Sequence, residues 1–191
     1  MHKIFLLFLF FIILYSCNTT LSEKEVAAYK EKGLTISKST GKELSGILMT
    51  KMKEGGISQA ITFCNVTAIP ITQQMSENYD VTIKRTSLKT RNPLNAPAEN
   101  ERFILKEFDA VKRNGLPLES KVLLDVDGNP HYYAPIFVEK KCLICHGTLG
   151  KELSKTTDSI IKSHYPNDLA IGFKEGDLRG IWSISFAKPK S

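Results

Sequence analysis

The sequence predicts an α+β fold in which helices come first and an antiparallel sheet follows. One observation is an apolar stripe of helical period in the N-terminal half of the chain. A second is a series of short alternating or β-branched segments after residue 79, separated by turn residues. A third is the composition, 42% hydrophobic and 24% charged, which is typical of an ordinary globular domain.

Helices are predicted over residues 22–29, 41–53 and 58–74, with breaks at Gly33 and at Gly55-Gly56. Pro70 is expected to kink or end part of the third helix, because proline lacks the backbone N–H. The third helix carries its apolar residues on one stripe that we expect to face the core: Ile57, Ala60, Ile61, Cys64 and Ala68.

The first strand is predicted over residues 79–88, which alternate and are β-branched. The following segment, KTRNPLNAP, is rich in proline and asparagine and is expected to be irregular. A helix is predicted over residues 98–113, ending at Asn114-Gly115. Its expected apolar contacts are Phe103, Leu105, Phe108 and Val111.

The C-terminal half is predicted to begin with a β-hairpin around Asp127-Gly128, a strong turn signal between two alternating segments. A short helix or loop is expected over residues 158–164, and a closing strand over residues 178–187. The sheet is therefore expected to have four or five short antiparallel strands, with no second domain.

Residues 1–20 have the pattern of an export signal. One lysine precedes an apolar run from Ile4 to Tyr15, which is too short for a comfortable membrane span of roughly 20 residues. The end of the run, Leu14-Tyr15-Ser16-Cys17, resembles the lipobox of bacterial lipoproteins. We therefore expect a signal peptide over 1–16, lipid on Cys17, a tether and helix start over 17–40, and one domain over 41–191. An uncleaved anchor and an ordinary signal peptide are the alternatives.

The segment KKCLICHGTLG, residues 140–150, contains a C-x-x-C-H motif that predicts covalent attachment of a c-type haem. Cys142 and Cys145 can reach the two vinyl groups of one porphyrin edge from a single helical turn, and His146 then presents a nitrogen to the iron. The export signal agrees, because this haem is attached outside the inner membrane. The motif occurs once, so one haem c is expected.

Three other uses of the two cysteines are possible. A zinc site would need a second close Cys/His pair, whereas His131 and His164 are single and distant in sequence. A thioredoxin-like dithiol usually opens a helix after a strand in a βαβ unit, and no such pattern surrounds Cys142. A structural disulfide across two intervening residues would be strained.

The residues alone leave the second axial ligand open among Cys64, Met49, Met52, Met75, His131 and His164. Cys64 is an unpaired thiol in a chain expected to be exported, where a free thiol is a hazard unless it is buried or ligated. It is either an ordinary buried core cysteine or a thiolate on iron. Thiolate would lower the reduction potential, whereas methionine would raise it.

Four segments together resemble one family, the exported monohaem c-type proteins whose fold is similar to PAS sensor domains. The resemblance covers roughly residues 41–187, and its segments are AITFCNVTAIPI, IKRTSLKTRNPLNAP, YYAPIFVEKKCLICHG and DLAIGFKEGDLRGIWSI. The same domain heads some bacterial histidine kinases and chemoreceptors. The resemblance implies a PAS-like antiparallel sheet over a single haem, with His146 and Cys64 as the two axial ligands.

Arg85 and Arg91 are candidate partners of the haem propionates, because arginine binds paired carboxylates bidentately. Both follow the Cys64 helix in the chain. Alternatively, either could be a surface charge or could hold the loop at Asn92-Pro93.

These observations favour a redox-active lipoprotein of the bacterial cell envelope that faces the periplasm and transfers electrons to a partner protein. A haem-based redox or gas sensor acting through a separate partner is the alternative, since the chain ends at Ser191 without a kinase or receptor segment. A peroxidase-like enzyme would need an open iron site with distal acid/base residues, so no enzymatic activity is expected. Nucleic acid is not an expected partner, because the net charge of +6 is spread over isolated lysines.

Overall fold

The computed structural model describes residues 20–186. The predicted signal peptide, the lipid site at Cys17 and the last predicted strand residue, Ala187, lie outside this range. Within it, no helix is both long enough and apolar enough to cross a membrane.

Helix α1, Glu23–Val66, is the longest element of the described chain. It begins with a capping box, in which the Ser22 hydroxyl accepts a hydrogen bond from the Glu25 N–H while the Glu25 carboxylate accepts one from the Ser22 N–H. The predicted break at Gly33 is wrong, because the helix continues through this residue. Gly33 instead allows close approach to the sheet, since a methyl group there would lie 2.2 Å from Cγ of Tyr132.

The predicted break at Gly55-Gly56 is confirmed as a kink inside α1. Gly55 has φ −152° and ψ 23°, and Gly56 has a φ of 64°, a backbone conformation that residues with a side chain rarely adopt.

Helix α2, Ala68–Tyr79, follows after Thr67. Pro70 lies in the first turn of α2, where its missing N–H is tolerated, so the chain breaks just before the proline as expected.

Four strands form one antiparallel sheet in the order β1-β4-β3-β2. They are β1, Val81–Thr86; β2, Lys121–Leu124; β3, Pro130–Phe137; and β4, Leu178–Phe186. The hairpin of β2 and β3 turns through the segment 125–129, as predicted from Asp127-Gly128. The α+β class and the antiparallel sheet are thereby confirmed.

Helices cover both faces of this sheet. On one face, α1 packs Ile36 against Tyr132 and Ile184. On the other face, α3, Glu99–Arg113, packs Phe108 against the sheet in a cluster of buried residues: Ile104, Leu105, Phe108, Tyr133 and Ile181. The predicted contact of Phe103 is wrong, because its side chain is 68% exposed and Ile104 takes the buried position.

The sheet has two ends that differ in content. The hairpin end holds the β2–β3 turn, the start of β1 and the end of β4. The cysteine end holds the ends of β1 and β3 and the start of β4. The chain leaves β3 at the cysteine end through a 3-10 turn, Lys140–Cys142, and then forms two helices: α4, Leu143–His146, and α5, Lys155–His164.

Candidate functional site

The C-x-x-C-H motif lies at the cysteine end, directly after β3. Cys142 closes the 3-10 turn, and Cys145 and His146 belong to the single turn of α4. Both cysteines are free thiols, and the Sγ of Cys142 accepts a hydrogen bond of 3.4 Å from the Glu139 N–H. Two unpaired thiols and an imidazole are therefore grouped within one short helical segment.

His146 is held in one tautomer by the backbone. Its Nδ1 lies 2.7 Å from the Ala170 carbonyl oxygen, which can only accept, so Nδ1 carries the proton and Nε2 keeps its lone pair. Burial lowers the pKa of His146 to about 3, and the charges of Arg179 and Arg91 act in the same direction. The ring is thus neutral at physiological pH, which is the form that binds metals.

The segment after α5 closes over His146. The Phe173 N–H donates to the His146 carbonyl oxygen at 2.9 Å, and the two rings meet edge to face with centroids 6.2 Å apart. The Gly172 N–H donates to the Gly147 carbonyl oxygen at 2.9 Å. These bonds tie the motif to the segment DLAIGFKEGDLRGIWSI, residues 168–184, which follows it some 20 residues later in the chain and which we call the closing segment.

Arg91 braces the motif from the loop after β1. Its Nη2 donates to the Cys145 carbonyl oxygen at 2.6 Å, to Asp168 Oδ2 at 3.0 Å and to the Ala170 carbonyl oxygen at 3.2 Å. The Arg91 and Asp168 side chains are only 12% and 2% exposed. The Nε of Arg91 is buried without a partner among the described residues. The structure therefore assigns Arg91 a bracing role and leaves one of its donors open.

Cys64 lies on α1 beyond the glycine kink and packs beside Phe63, Ala68 and Trp182, as the predicted inward stripe requires. Burial raises the pKa of the Cys64 thiol, and the positive charges of Arg85 and Arg91 oppose this. Ile61, one turn earlier on α1, is buried in the apolar cluster against which Cys145 packs, so the Cys64 segment of α1 lies beside the motif. The structure thus brings the predicted Cys64 to the site of the motif.

Arg85 projects from β1 on the face covered by α1. Its strand partner is Trp182, and the guanidinium lies 5.8 Å from the centre of the Trp182 ring. Burial lowers the pKa of Arg85, and the charge of Cys64 opposes this. Among residues 20–186 no acidic side chain forms an ion pair with Arg85.

Arg179, at the start of β4, is a third, partly buried arginine that the sequence did not single out. Its Nη1 donates to the Lys89 carbonyl oxygen at 3.1 Å, and the guanidinium lies 5.4 Å from the centre of the Phe173 ring. Burial lowers the pKa of Arg179 to about 10, and the charge of Arg91 adds to this. In the sequence, only its place in the segment DLRG, residues 177–180, pointed to Arg179. The sequence did not show that this segment lies beside β1 and β3.

These three residues, Arg85, Arg91 and Arg179, form what we call the arginine cluster. In the described part of the chain, Asp168 is the only carboxylate that forms an ion pair with the cluster. Three guanidinium charges against one carboxylate leave a surplus of two positive charges beside the free thiols. Charge that is partly removed from water is costly unless it is paired, so the site favours an anionic ligand.

The other candidate iron ligands lie elsewhere or have other contacts. Met75 packs in the core cluster of Tyr132, and His131 Nε2 lies 3.0 Å from Asp125 Oδ2 at the hairpin end. Met49, on α1, is 47% exposed. Met52 also lies on α1, and His164 ends α5. None of the five is described in contact with the cysteines or the arginine cluster.

No group of three His, Cys, Asp or Glu side chains within residues 20–186 is arranged to hold a metal ion. Two open clefts, of about 440 and 740 Å³, share lining residues at the hairpin end, among them Asp80, Val81 and Phe186. Neither cleft is lined by the cysteines or by the arginine cluster.

Comparison with known proteins agrees with the fold. The crystal structure of the cyanobacterial haem protein Tll0287 is similar, with a TM-score of 0.57 and 23% sequence identity, over 90% of this chain and 99% of that chain. A search of curated proteins found no match. A family model for Tll0287-like proteins matches residues 19–187, which includes the range 41–187 of the resemblance and extends further toward the N-terminus. The chain therefore belongs to the Tll0287-like family.

Proposed function

We propose that this protein binds one haem c through thioether bonds to Cys142 and Cys145 and uses it to transfer electrons. The observation that carries the proposal is the motif segment itself, where two free thiols precede an imidazole whose Nδ1–H is committed to Ala170. That hydrogen bond leaves Nε2 of His146 as the metal-binding nitrogen, the arrangement usual for a ligating histidine. When bound, the haem supplies a one-electron iron couple.

The arginine cluster supports haem as the ligand. A haem carries two propionates, which match the surplus of two positive charges, and arginine binds carboxylates bidentately. Arg85 has no acidic partner in the described chain, and Arg91 keeps a buried Nε–H without an acceptor. The similar cyanobacterial protein is itself a haem protein, which agrees with this assignment.

We propose that Cys64, together with His146, would hold the haem iron. Its thiol packs against an apolar cluster, where burial raises its pKa and the positive charges of Arg85 and Arg91 offset part of this rise. A thiolate and an imidazole together fill the iron site and lower its potential, which suits electron transfer rather than substrate chemistry. We therefore do not assign an enzymatic activity.

A haem-based sensor is the second candidate, and one observation favours it. No hydrogen bond is described to the Cys64 thiol, whereas His146 is held by Ala170 and Phe173. A thiol held only by packing would be a more mobile iron ligand than His146, and a site that it left open would admit a small gas. Signalling would then pass to a separate protein partner.

The location of this activity is also proposed. The lipobox-like end of the N-terminal segment supports cleavage before Cys17 and lipid attachment to it. The domain would then be anchored in the bacterial envelope and face the periplasm, where c-type haem is attached.

A denaturing gel stained for haem tests the proposal. The full chain, with its own N-terminal segment, is expressed in cells competent for cytochrome maturation, and the haem stain is expected to remain on the protein band. The matched control is the double variant Cys142→Ser/Cys145→Ser, whose band should be colourless. A colourless band for the unaltered chain would reject the proposal.

A further inference from the structure

The Ala170 carbonyl oxygen accepts two hydrogen bonds from two different side chains. His146 Nδ1 donates to it at 2.7 Å, and Arg91 Nη2 donates at 3.2 Å. The proton that fixes the His146 tautomer therefore competes for its acceptor with a guanidinium. This sharing is independent of any contact between Arg91 and a ligand.

Asp168 closes the arrangement into a ring. Its Oδ2 accepts from Arg91 Nη2 at 3.0 Å, and its Oδ1 accepts from the Ala170 N–H at 2.8 Å. One carboxylate thus holds both the guanidinium and the peptide unit whose carbonyl binds His146. Arg91 also donates to the Cys145 carbonyl oxygen at 2.6 Å, so the ring is tied to the motif.

Hydrogen bonds from a ligating histidine to an outer acceptor set how strongly the imidazole donates to its metal. A strong acceptor gives the ring more imidazolate character and favours the ferric state. A guanidinium on the same oxygen withdraws electron density from it and weakens it as an acceptor. The positive charge of the guanidinium also favours the ferrous state directly, because the ferric centre carries one more positive charge.

We propose that Arg91 and Asp168 are positioning residues for His146, and that Arg91, by sharing the Ala170 carbonyl, raises the reduction potential of the bound haem. The inference rests on the proposed haem site, because it concerns the imidazole on the iron. Asp168 moderates the effect, since its negative charge offsets that of Arg91. The net effect of Arg91 and Asp168 would partly oppose the lower reduction potential expected from a Cys64 thiolate.

The test is a redox titration of purified holo protein carrying Arg91→Gln or Asp168→Asn. Arg91→Gln removes the positive charge and should lower the potential, by a roughly tenfold shift of the ferric/ferrous equilibrium or about 59 mV for one electron. Asp168→Asn removes the negative charge while Arg91 keeps its two carbonyl acceptors, so the potential should rise. A merely structural role predicts that both variants loosen His146 and move the potential in the same direction.

Arg113→Gln is the matched control, because Arg113 pairs with Asp109 on the solvent side of α3, and its side chain is 72% exposed. Its potential should equal that of the unaltered protein. Equal potentials for Arg91→Gln and Arg113→Gln, or shifts of the same sign for Arg91→Gln and Asp168→Asn, would overturn the inference. If Arg91→Gln does not mature, Asp168→Asn decides alone, and a fall or no change in its potential overturns it. A haem-free unaltered chain would instead reject the proposed function.

Discussion

The cysteine end and the hairpin end of the same sheet are built for different tasks. At the cysteine end the arginine cluster faces a single paired carboxylate, Asp168, and three cysteines remain free thiols. At the hairpin end the carboxylate of Asp125 is matched locally, since it accepts from Asn129 and lies within 3.0 Å of His131 Nε2. The cysteine end therefore leaves positive charge for a ligand, whereas the hairpin end uses this carboxylate to hold the turn.

The packing of the two ends differs in the same way. Near the hairpin end the Tyr132 ring is fully buried and lies against Gly33 without room for a methyl group. At the cysteine end Cys64, Cys145 and His146 are only partly buried. We therefore expect substitutions at the cysteine end to change the spectrum of the holo protein, and substitutions near the hairpin end to change its stability.

The largest effect is expected for Cys64→Ala. Loss of the proposed thiolate ligand should convert the iron from low spin to high spin, or bring in a replacement ligand, and both outcomes are visible in absorption and electron paramagnetic resonance spectra. Met49→Ala is the control, because Met49 lies on the same helix with its side chain 47% exposed. An unchanged spectrum for Cys64→Ala would exclude Cys64 as a ligand.

Carbon monoxide distinguishes the electron carrier from the sensor. If the thiolate stays on ferrous iron, carbon monoxide binds only to the small open fraction, and its apparent affinity falls in proportion to that fraction. The reduced unaltered protein should therefore bind the gas poorly and Cys64→Ala should bind it readily, as followed by the Soret band. Tight, rapid binding to the unaltered protein would favour the sensor.

Gly33→Ala should destabilise the fold without changing the spectrum. The added methyl group would meet the Tyr132 ring at 2.2 Å, and overpacking of this kind costs about 1–3 kcal/mol, occasionally more. Gly46→Ala is the matched control on α1, since nothing lies within 4 Å of its added methyl, and it should stabilise by roughly 1 kcal/mol. Urea unfolding measures both; equal stability of the two variants would contradict the packing account.

A smaller effect is expected from acid at the hairpin turn. Burial raises the pKa of Asp125, but hydrogen bonds from Asn129, His131 and Asp127 outweigh it and lower the pKa to about 2, from an ordinary 3.8. Because the folded pKa is depressed, the stabilisation is fully present above pH 3.8 and is lost as the pH falls toward 2. The carboxylate is partly exposed, so we expect only about 1 kcal/mol.

The free energy of unfolding at pH 5 and at pH 2.5 checks this expectation. The unaltered protein should lose more stability between these values than Asp125→Asn, which has no carboxyl proton to gain at this position. An equal loss in both proteins would show that other carboxylates account for the acid sensitivity.

Local patterns predicted much of the fold. The hairpin, the kink at Gly55-Gly56 and the inward stripe containing Cys64 follow from turn chemistry and helical period over short distances. The prediction of a helix break at Gly33 was wrong, because a glycine can also lie inside a helix where a neighbouring side chain needs the space. Here that neighbour is Tyr132 of β3, which is distant in sequence. The prediction that Phe103 packs in the core was wrong, because an amphipathic pattern does not determine which of two adjacent apolar residues is buried.

By itself, the sequence determined which residues bear the chemistry of the motif, because Cys142, Cys145 and His146 are neighbours in the chain and their spacing depends only on local geometry. Tertiary structure alone decided what surrounds them. Asp168, the Ala170 carbonyl and Arg179 reach the site because β4 lies between β1 and β3 and the closing segment folds back on the motif. Such contacts join residues that are distant in sequence, and no local preference encodes them.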